Sequence, residues 1–209
     1  MLPIANHELA SPGWPLPAKR INSAAMDISG ADDETLMQAY GAGDLSAFEA
    51  LYARHRAALY RYLLRSTRNP HLADDLFQET WSRVVDARAR WQPRAKFLTW
   101  LLHIAHHLAI DAYRRQPAQA SPEETETVLS TLATAEHEQP EYQLSDFQTR
   151  RRLQLAIERL PDEQRHAILL RLEHDLSLDE IADVTGTPRE TVKSRIRYAT
   201  QRIREELDS

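Results

Sequence analysis

Residues 177–204 read SLDEIADVTGTPRETVKSRIRYATQRIR, and this stretch decides the fold. Ser177, followed three places on by Glu180, makes a capping box at the start of a short helix. Ile181, Ala182 and Val184 supply its apolar side. Thr185-Gly186-Thr187 reads as a tight turn. Thr187 and Glu190 form a second capping box, with Pro188 at the first position of the next helix. Ala182, Gly186 and Val192 stand at helix-turn-helix spacing. The small residue lets two helices cross closely, the glycine turns the chain, and the branched residue plugs the second helix into the core. On that second helix Val192, Ile196, Ala199 and Ile203 form a buried stripe. Glu190, Ser194, Arg197 and Gln201 point away from it, flanked by Arg189 and Lys193. From Arg189 to Arg204 there are six basic residues and one acid. Such a helix can present its N-terminal side chains to base edges in a major groove and its cations to phosphates. A plain solvated basic helix is the competing reading.

The composition sets limits around this element. The chain has 209 residues and a mass of 24.0 kDa, which suits one large domain or two small ones. It has no cysteine, so disulfides, thiolate metal sites and thiol nucleophiles are excluded. No apolar run is long enough for a membrane span. Glycine is scarce (5 residues), while Ala, Leu, Arg and Glu are plentiful, and the expected class is all-α. The net charge of −5 runs against nucleic-acid binding, but the acidity is local. Residues 116–148 hold Glu123, Glu124, Glu126, Glu136, Glu138, Glu141 and Asp146, with no Lys or Arg. Gly-rich phosphate loops, His-Glu-x-x-His and a nucleophile elbow are all missing. Neither catalytic residues, a cofactor nor a metal is therefore expected.

Helical periodicity and breaks divide the chain. Residues 1–28, with their prolines and no secretory pattern, read as a disordered extension, or as sequence ahead of a true start at Met26. Residues 29–115 read as a helical domain. Asp44-Leu-Ser46 opens a helix to about Thr67, Asn69-Pro70 restarts the chain into a helix to about Arg90, and a third helix runs from Lys96 to about Arg115. Residues 116–147 read as a flexible acidic tether, with a helical turn near 128–132. Residues 148–209 carry the helix-turn-helix. The expected architecture is two small helical domains joined by that tether.

Two surfaces of the first domain stand out. On the Leu72–Arg90 helix, Asp74, Asp75, Gln78 and Ser82 face outward beside Glu79, with Trp81 and Val85 on the boundary. An exposed tryptophan among acids is costly as plain surface and natural in an interface; a merely solvated acidic face is the alternative. On the next helix, Phe97, Trp100, Leu101, Ile104, Leu108 and Asp111 make the inner face. Lys96, His103, His107 and Arg114 fall in a narrow outer stripe, with His106 beside it. A cationic stripe with aromatics near the Trp91 turn suits single-stranded DNA, phosphates following charges and a base stacked on a ring or held in a pocket. His103 and His107, four apart, could instead share a metal or be plain surface histidines, and no nearby Cys or carboxylate completes a ligand set.

The run Leu160-Pro-Asp-Glu-Gln-Arg165, then Ile181-Ala, Gly186 and Thr191-Val-Lys-Ser-Arg195, closely resembles region 4 of bacterial RNA polymerase sigma factors of the sigma-70 family. Ala47-Phe48, Leu51-Tyr52 and Leu59-Tyr60-Arg61 in the first domain carry a second resemblance. So do Ala73-Asp-Asp-Leu76-Phe-Gln78-Glu-Thr-Trp81, Phe97-Leu-Thr-Trp100-Leu, Ile104-Ala, Leu108-Ala-Ile-Asp111 and Arg114-Arg115. Together they resemble region 2 of the extracytoplasmic-function (ECF) group. With only the acidic tether between, the chain shows no sign of the extra domain of housekeeping sigma factors. The resemblance implies a sigma factor that binds core polymerase and directs promoter-specific initiation at −35 and −10 elements. It assigns Arg189, Glu190, Thr191, Lys193, Ser194, Arg195, Arg197 and Gln201 to −35 DNA. It assigns Trp91, Arg94, Lys96, Phe97, Trp100, His103, His106, His107, Arg114 and Arg115 to the −10 strand. The clamp helices of the largest polymerase subunit would meet Asp74, Asp75, Gln78, Glu79, Trp81, Ser82 and Val85. The flap of the second-largest subunit, promoter DNA and an anti-sigma factor are further implied partners, in the cytoplasm and without membrane insertion. Where the family usually has Ile-Ala-Arg-Asn, this chain has Ile104-Ala-His106-His107, which makes the phosphate contact weaker or pH-sensitive. A helix-turn-helix regulator acting without polymerase is the alternative function.

Overall fold

The computed structural model describes residues 30–115 and 143–208, all helices and connections. Four helices come from the first half: α1 Asp33–Gly41, α2 Leu45–Thr67, α3 Pro70–Ala87 and α4 Phe97–Arg115. Four come from the second: α5 Gln143–Glu158, α6 Asp162–His174, α7 Leu178–Thr185 and α8 Arg189–Leu207. The expected extension, most of the expected tether and the turn near 128–132 lie outside the described residues. Helix α5 begins inside the segment read as tether.

The helix starts follow from local chemistry. Asp32, Asp44 and Asn69 accept hydrogen bonds from backbone N–H groups of the first turns of α1, α2 and α3. Pro70 takes the first helical position of α3, where a missing N–H costs nothing. Helix α4 has no local cap of this kind; the Glu34 carboxylate of α1 accepts from the Phe97 N–H at 2.7 Å. That contact joins residues far apart in sequence, so no local pattern announces it.

The capping box of α7 is present in both directions: Glu180 N–H donates to Ser177 Oγ at 3.2 Å and Ser177 N–H to Glu180 Oε2 at 2.8 Å. Ser177→Ala should cost about 1 kcal/mol of stability, read as a lower urea midpoint with an unchanged slope. The expected second box does not form. Pro188 itself is the N-cap of α8, without a side-chain cap bond. The Thr187 hydroxyl instead meets the Thr185 hydroxyl at 2.9 Å and accepts from Arg195 of α8 at 3.4 Å, so it ties the turn to the side of α8 without capping its first turn. Gly186 ends α7 in the left-handed region (φ 61°), which favours glycine. Gly41 has a different reason: a Cβ there would lie 2.7 Å from the Arg88 carbonyl oxygen, where the end of α1 meets the turn after α3.

The first core is built by Leu36, Met37, Leu51, Leu59, Leu63, Leu76, Val84, Leu101 and Leu102. Trp81 belongs to it. The sequence places Trp81 at an exposed boundary, but its ring is 6% exposed and packs against Phe48 at 5.7 Å and Tyr52 at 5.0 Å. Aromatics of α2 and α3 meet there and close over the indole. Phe97 is likewise fully buried, against Trp91, Trp100 and His55. Asp111, expected on the inner face, is exposed near Arg114.

The second core joins Ile157, Leu160, Leu169, Ile181, Val184, Val192, Ala199 and Ile203. The two cores are continuous, because α6 packs on α2 and α7 packs on α4. Residues Arg165 to Leu170 of α6 are all buried. A helix buried all round is held from both sides, here by α2 of the first half and by α7 and α8 of its own half.

Candidate nucleic-acid interface

The reading helix α8 is positioned by its buried stripe. Val192, Ala199 and Ile203 are buried and Ile196 is half-buried, as the helical wheel requires. Opposite them Arg189, Glu190, Lys193, Arg197 and Gln201 are exposed, while Thr191, Ser194 and Arg195 are half-buried. The cations are already engaged. Arg189 pairs with Asp179 of α7 at 3.1 Å and with Glu190 at 3.4 Å. Lys193 lies 3.5 Å from Glu190. Arg197 donates to the Tyr198 hydroxyl at 3.1 Å and sits over its ring. Arg195 is turned inward to Glu163 of α6 at 2.6 Å, so it braces the reading head against the preceding helix. Exposed pairs of this kind contribute little stability and exchange readily for other anions.

On the first half, Asp74, Asp75, Gln78, Glu79 and Ser82 form an exposed polar face of α3, with Val85 half-buried at its edge. Glu79 is paired within the helix to Arg83 at 3.0 Å. Asp74 lies close enough to Tyr60 that, after burial, it helps push the phenol up to about 12. The face is acidic and polar, without the tryptophan the sequence placed there.

The strand-binding set on α4 separates into three groups. Lys96, Arg94, His103, His107, Arg114 and Arg115 are exposed, and Trp91 and Trp100 are half-buried with rings 6.2 Å apart. Phe97 is in the core and cannot meet a base. His106, expected beside the outer stripe, is 6% exposed, and its Nδ1 is 3.0 Å from the Tyr62 hydroxyl. The reason is that α4 is covered twice, by its own bundle and by the second half; an outward position of the first domain becomes an inward position of the whole.

The covering element is acidic. Glu180 of α7 pairs with Lys96 at 2.9 Å. Backbone donation from Ser177, then the Lys96 bond, holds its carboxyl down at about 2. Asp183 lies near His103, whose ring is held below its usual value by burial first and by His107 second, against the pull of that carboxylate. The His103 and His107 rings stack at 4.1 Å, and His107 Nδ1 meets the His103 carbonyl at 2.8 Å. A Cβ at Gly186 would approach His107 Nε2 to 3.9 Å. The N-terminal part of the stripe on α4 thus borders the first helix of the reading head, with Lys96, His103 and His107 still exposed.

Sequence reading missed the groups that join the halves: Arg65 with Glu173, Arg68 with Asp162 and the Glu158 carbonyl, and Arg165 with the Ser66 carbonyl. Only the run of charged residues inside the apolar α6 could have signalled them.

The chain is similar to known proteins in sequence and in fold. Sigma-70 region 2 matches residues 51–118, and sigma-70 region 4 matches residues 156–205. The RNA polymerase sigma factor CarQ of Myxococcus xanthus is 34% identical over 82% of this chain and 95% of its own. The ECF RNA polymerase sigma factor SigW of Bacillus subtilis is 30% identical over 79% of this chain and 91% of its own. Among solved structures, CnrH in complex with the cytosolic domain of CnrY superposes with a TM-score of 0.61 at 24% identity, covering 85% of this chain and 98% of that one. These likenesses and the helix-turn-helix beside a separate helical bundle agree: the chain belongs to the sigma-70 family of RNA polymerase sigma factors, in its extracytoplasmic-function group.

Proposed function

We propose that this sigma factor joins core RNA polymerase through the polar face of α3, captures the −10 strand with α4 and the turn before it, and reads the −35 element with α8. The observation that carries this is the sorting of α8, with a sealed apolar stripe on one side and Arg189, Lys193 and Arg197 exposed on the other. The clamp helices of the polymerase largest subunit would meet Asp74, Asp75, Gln78, Glu79 and Ser82, with Val85 at the rim. Trp81 supports that surface from beneath. On α4, Lys96, Arg94, Arg114 and Arg115 would follow phosphates, and Trp91 and Trp100 offer rings for a base. Burial holds His103 below its usual value, so it adds little charge near neutrality and the cations at the two ends of α4 dominate the electrostatic attraction.

The flap of the second-largest subunit and an anti-sigma factor are further partners of this reading, in the cytoplasm. The action is binding and strand capture, not catalysis. Glu180 of α7 engages Lys96 in the docked arrangement, so parting of the halves would free that cation for DNA. The rival reading, a regulator that never joins polymerase, is disfavoured by the region 2 match, since such a regulator has no use for it. Run-off transcription with core polymerase on a random-promoter library tests the proposal. Transcripts that share two spaced promoter elements are expected only when this chain is added. Tight promoter binding with no co-purification of core polymerase would overturn it.

A further inference from the structure

The seam between the halves is made of rings that can take up a proton. His166 of α6 meets His106 of α4 edge-on at 5.2 Å. His106 Nδ1 is 3.0 Å from the Tyr62 hydroxyl of α2, and the Tyr62 ring meets His174 of α6 at 5.8 Å. Tyr62 is fully buried, and His106 and His166 are 6% and 5% exposed. Burial holds the phenol protonated, and a neutral His106 can accept its hydrogen bond at Nδ1. Neither His166 Nδ1 nor His174 Nε2 has a hydrogen-bond partner among the described residues. A proton added at His166 Nδ1 or His174 Nε2 therefore enters a site with no acceptor among the described residues.

The surroundings oppose that proton further. Around His106 stand His166 of α6, His103 and His107 of its own helix and Arg195 of α8. Around His166 stand Arg165 of its own helix and Arg195 of α8, with Asp162 and the Ser66 carbonyl of α2 favouring the proton. His174 faces Arg61 and His55 of α2.

We propose that this ring chain is a proton-operated clasp: with His106, His166 and His174 neutral the two halves stay docked, and protonation parts them and draws α7, with Glu180, away from Lys96 and the α4 stripe. The clasp itself rests on the seam geometry alone; only its consequence for DNA rests on the proposed role of α4.

The sign follows from the burial. Burial first, and neighbouring cations second, hold His106 at about 3 and His166 and His174 at about 4 in the docked form. In the parted form the rings meet water and titrate near the ordinary value of about 6.5. The docked form binds fewer protons, so docking is fully favoured above pH ~6.5 and weakens as pH falls below it. Each histidine contributes about a tenfold weakening per pH unit in that window, up to ~1,000-fold for three. Glu180, held at about 2, titrates well below this window. So does Asp162: burial pushes it up, but the Arg165 guanidinium outweighs this and keeps it low.

The chain has no cysteine, so Glu49→Cys with Arg202→Cys gives two unique label sites on exposed positions of α2 and α8. Energy transfer between the labels in the full chain should be high at pH 7.5 and fall between about pH 6.5 and 5, while the helical circular dichroism signal persists. Transfer that stays constant, or that falls only together with the helical signal, would overturn the clasp. His166→Leu and the pair His166→Leu with His174→Leu keep apolar packing without the proton. They should flatten the response by about one and two factors of ten per pH unit. An unaltered response, or loss of docking at pH 7.5 in both variants, would equally sink it. A labelled single-stranded oligonucleotide separates the two readings. Binding that rises as transfer falls supports both; falling transfer with unchanged binding supports the clasp and refutes α4 as the strand surface.

Discussion

Arg165→Met is expected to destabilise the protein by about 3–5 kcal/mol, the range for breaking one side of a buried charged contact. The guanidinium is 1% exposed. It donates to the Leu160 carbonyl at 3.0 Å, to the Ser66 carbonyl at 3.0 Å and to Asp162 at 2.6 Å. The Ser66 carbonyl stands in the last turn of α2, where the backbone acceptors lack intrahelical partners and the helix dipole is negative, and the Leu160 carbonyl lies in the turn between α5 and α6. One arginine thus holds the turn after α5 in its own half and the C-terminal end of α2 in the other. Methionine fills similar space but leaves two buried acceptors unsatisfied, and this decides the sign over any gain from removing a buried cation. Lysine should rescue poorly, because a point charge cannot reach both carbonyls and the carboxylate in the plane of a fork. Urea denaturation of the full chain checks this. A loss under about 1 kcal/mol would mean that water replaces the guanidinium at both carbonyls.

Arg197→Ala and Lys193→Ala should each reduce transcription from the cognate promoter by about tenfold, up to roughly a hundredfold if the side chain makes a bidentate base contact. Both side chains are exposed, on the face of α8 opposite the buried Val192, Ala199 and Ile203. Neither supports the core, so helical content and the urea midpoint should stay within about 0.5 kcal/mol of the parent. That separation gives the prediction its value. A change at Lys193 that weakens all promoters alike, and lowers the salt dependence of binding by about one ion, assigns it to phosphate. A change at Arg197 that relaxes preference at one base pair assigns it to a base edge. Full promoter-specific transcription in both variants would mean the reading helix is not read through this face. Arg195→Ala should behave differently, because Arg195 braces α6 through Glu163; it is expected to lower stability along with activity.

The reading head was legible because everything that makes it is local. A capping serine and its glutamate, a glycine in the left-handed region and an apolar stripe of period 3.6 lie within 28 consecutive residues. The starts of α2 and α3 were legible for the same reason, each declared by an Asp or Asn beside its first turn. Thr187 shows the limit of such rules: a second cap was written in the sequence, but its hydroxyl found Thr185 instead.

Trp81 and His106 were misplaced by a shared assumption, that each helix has one inner face, whereas Phe97 lies on the inner face as its position on the helix predicts. Trp81 went inward because the aromatics of α2 and α3 close over it. His106 went inward because a second domain docks on α4. The sequence by itself determined an all-helical chain of the sigma-70 family, its helix-turn-helix and the sorting of α8. Only the tertiary structure decided that the two halves form one continuous core, with acidic α7 bordering the α4 stripe and a buried row of histidines between them. The physical reason is that periodicity reports a helix's own preference for one apolar side, whereas burial of Arg165, His166 and His106 depends on partners brought from distant positions. Polar groups of that kind enter a core only once those partners, the Leu160 and Ser66 carbonyls and Tyr62, are in place.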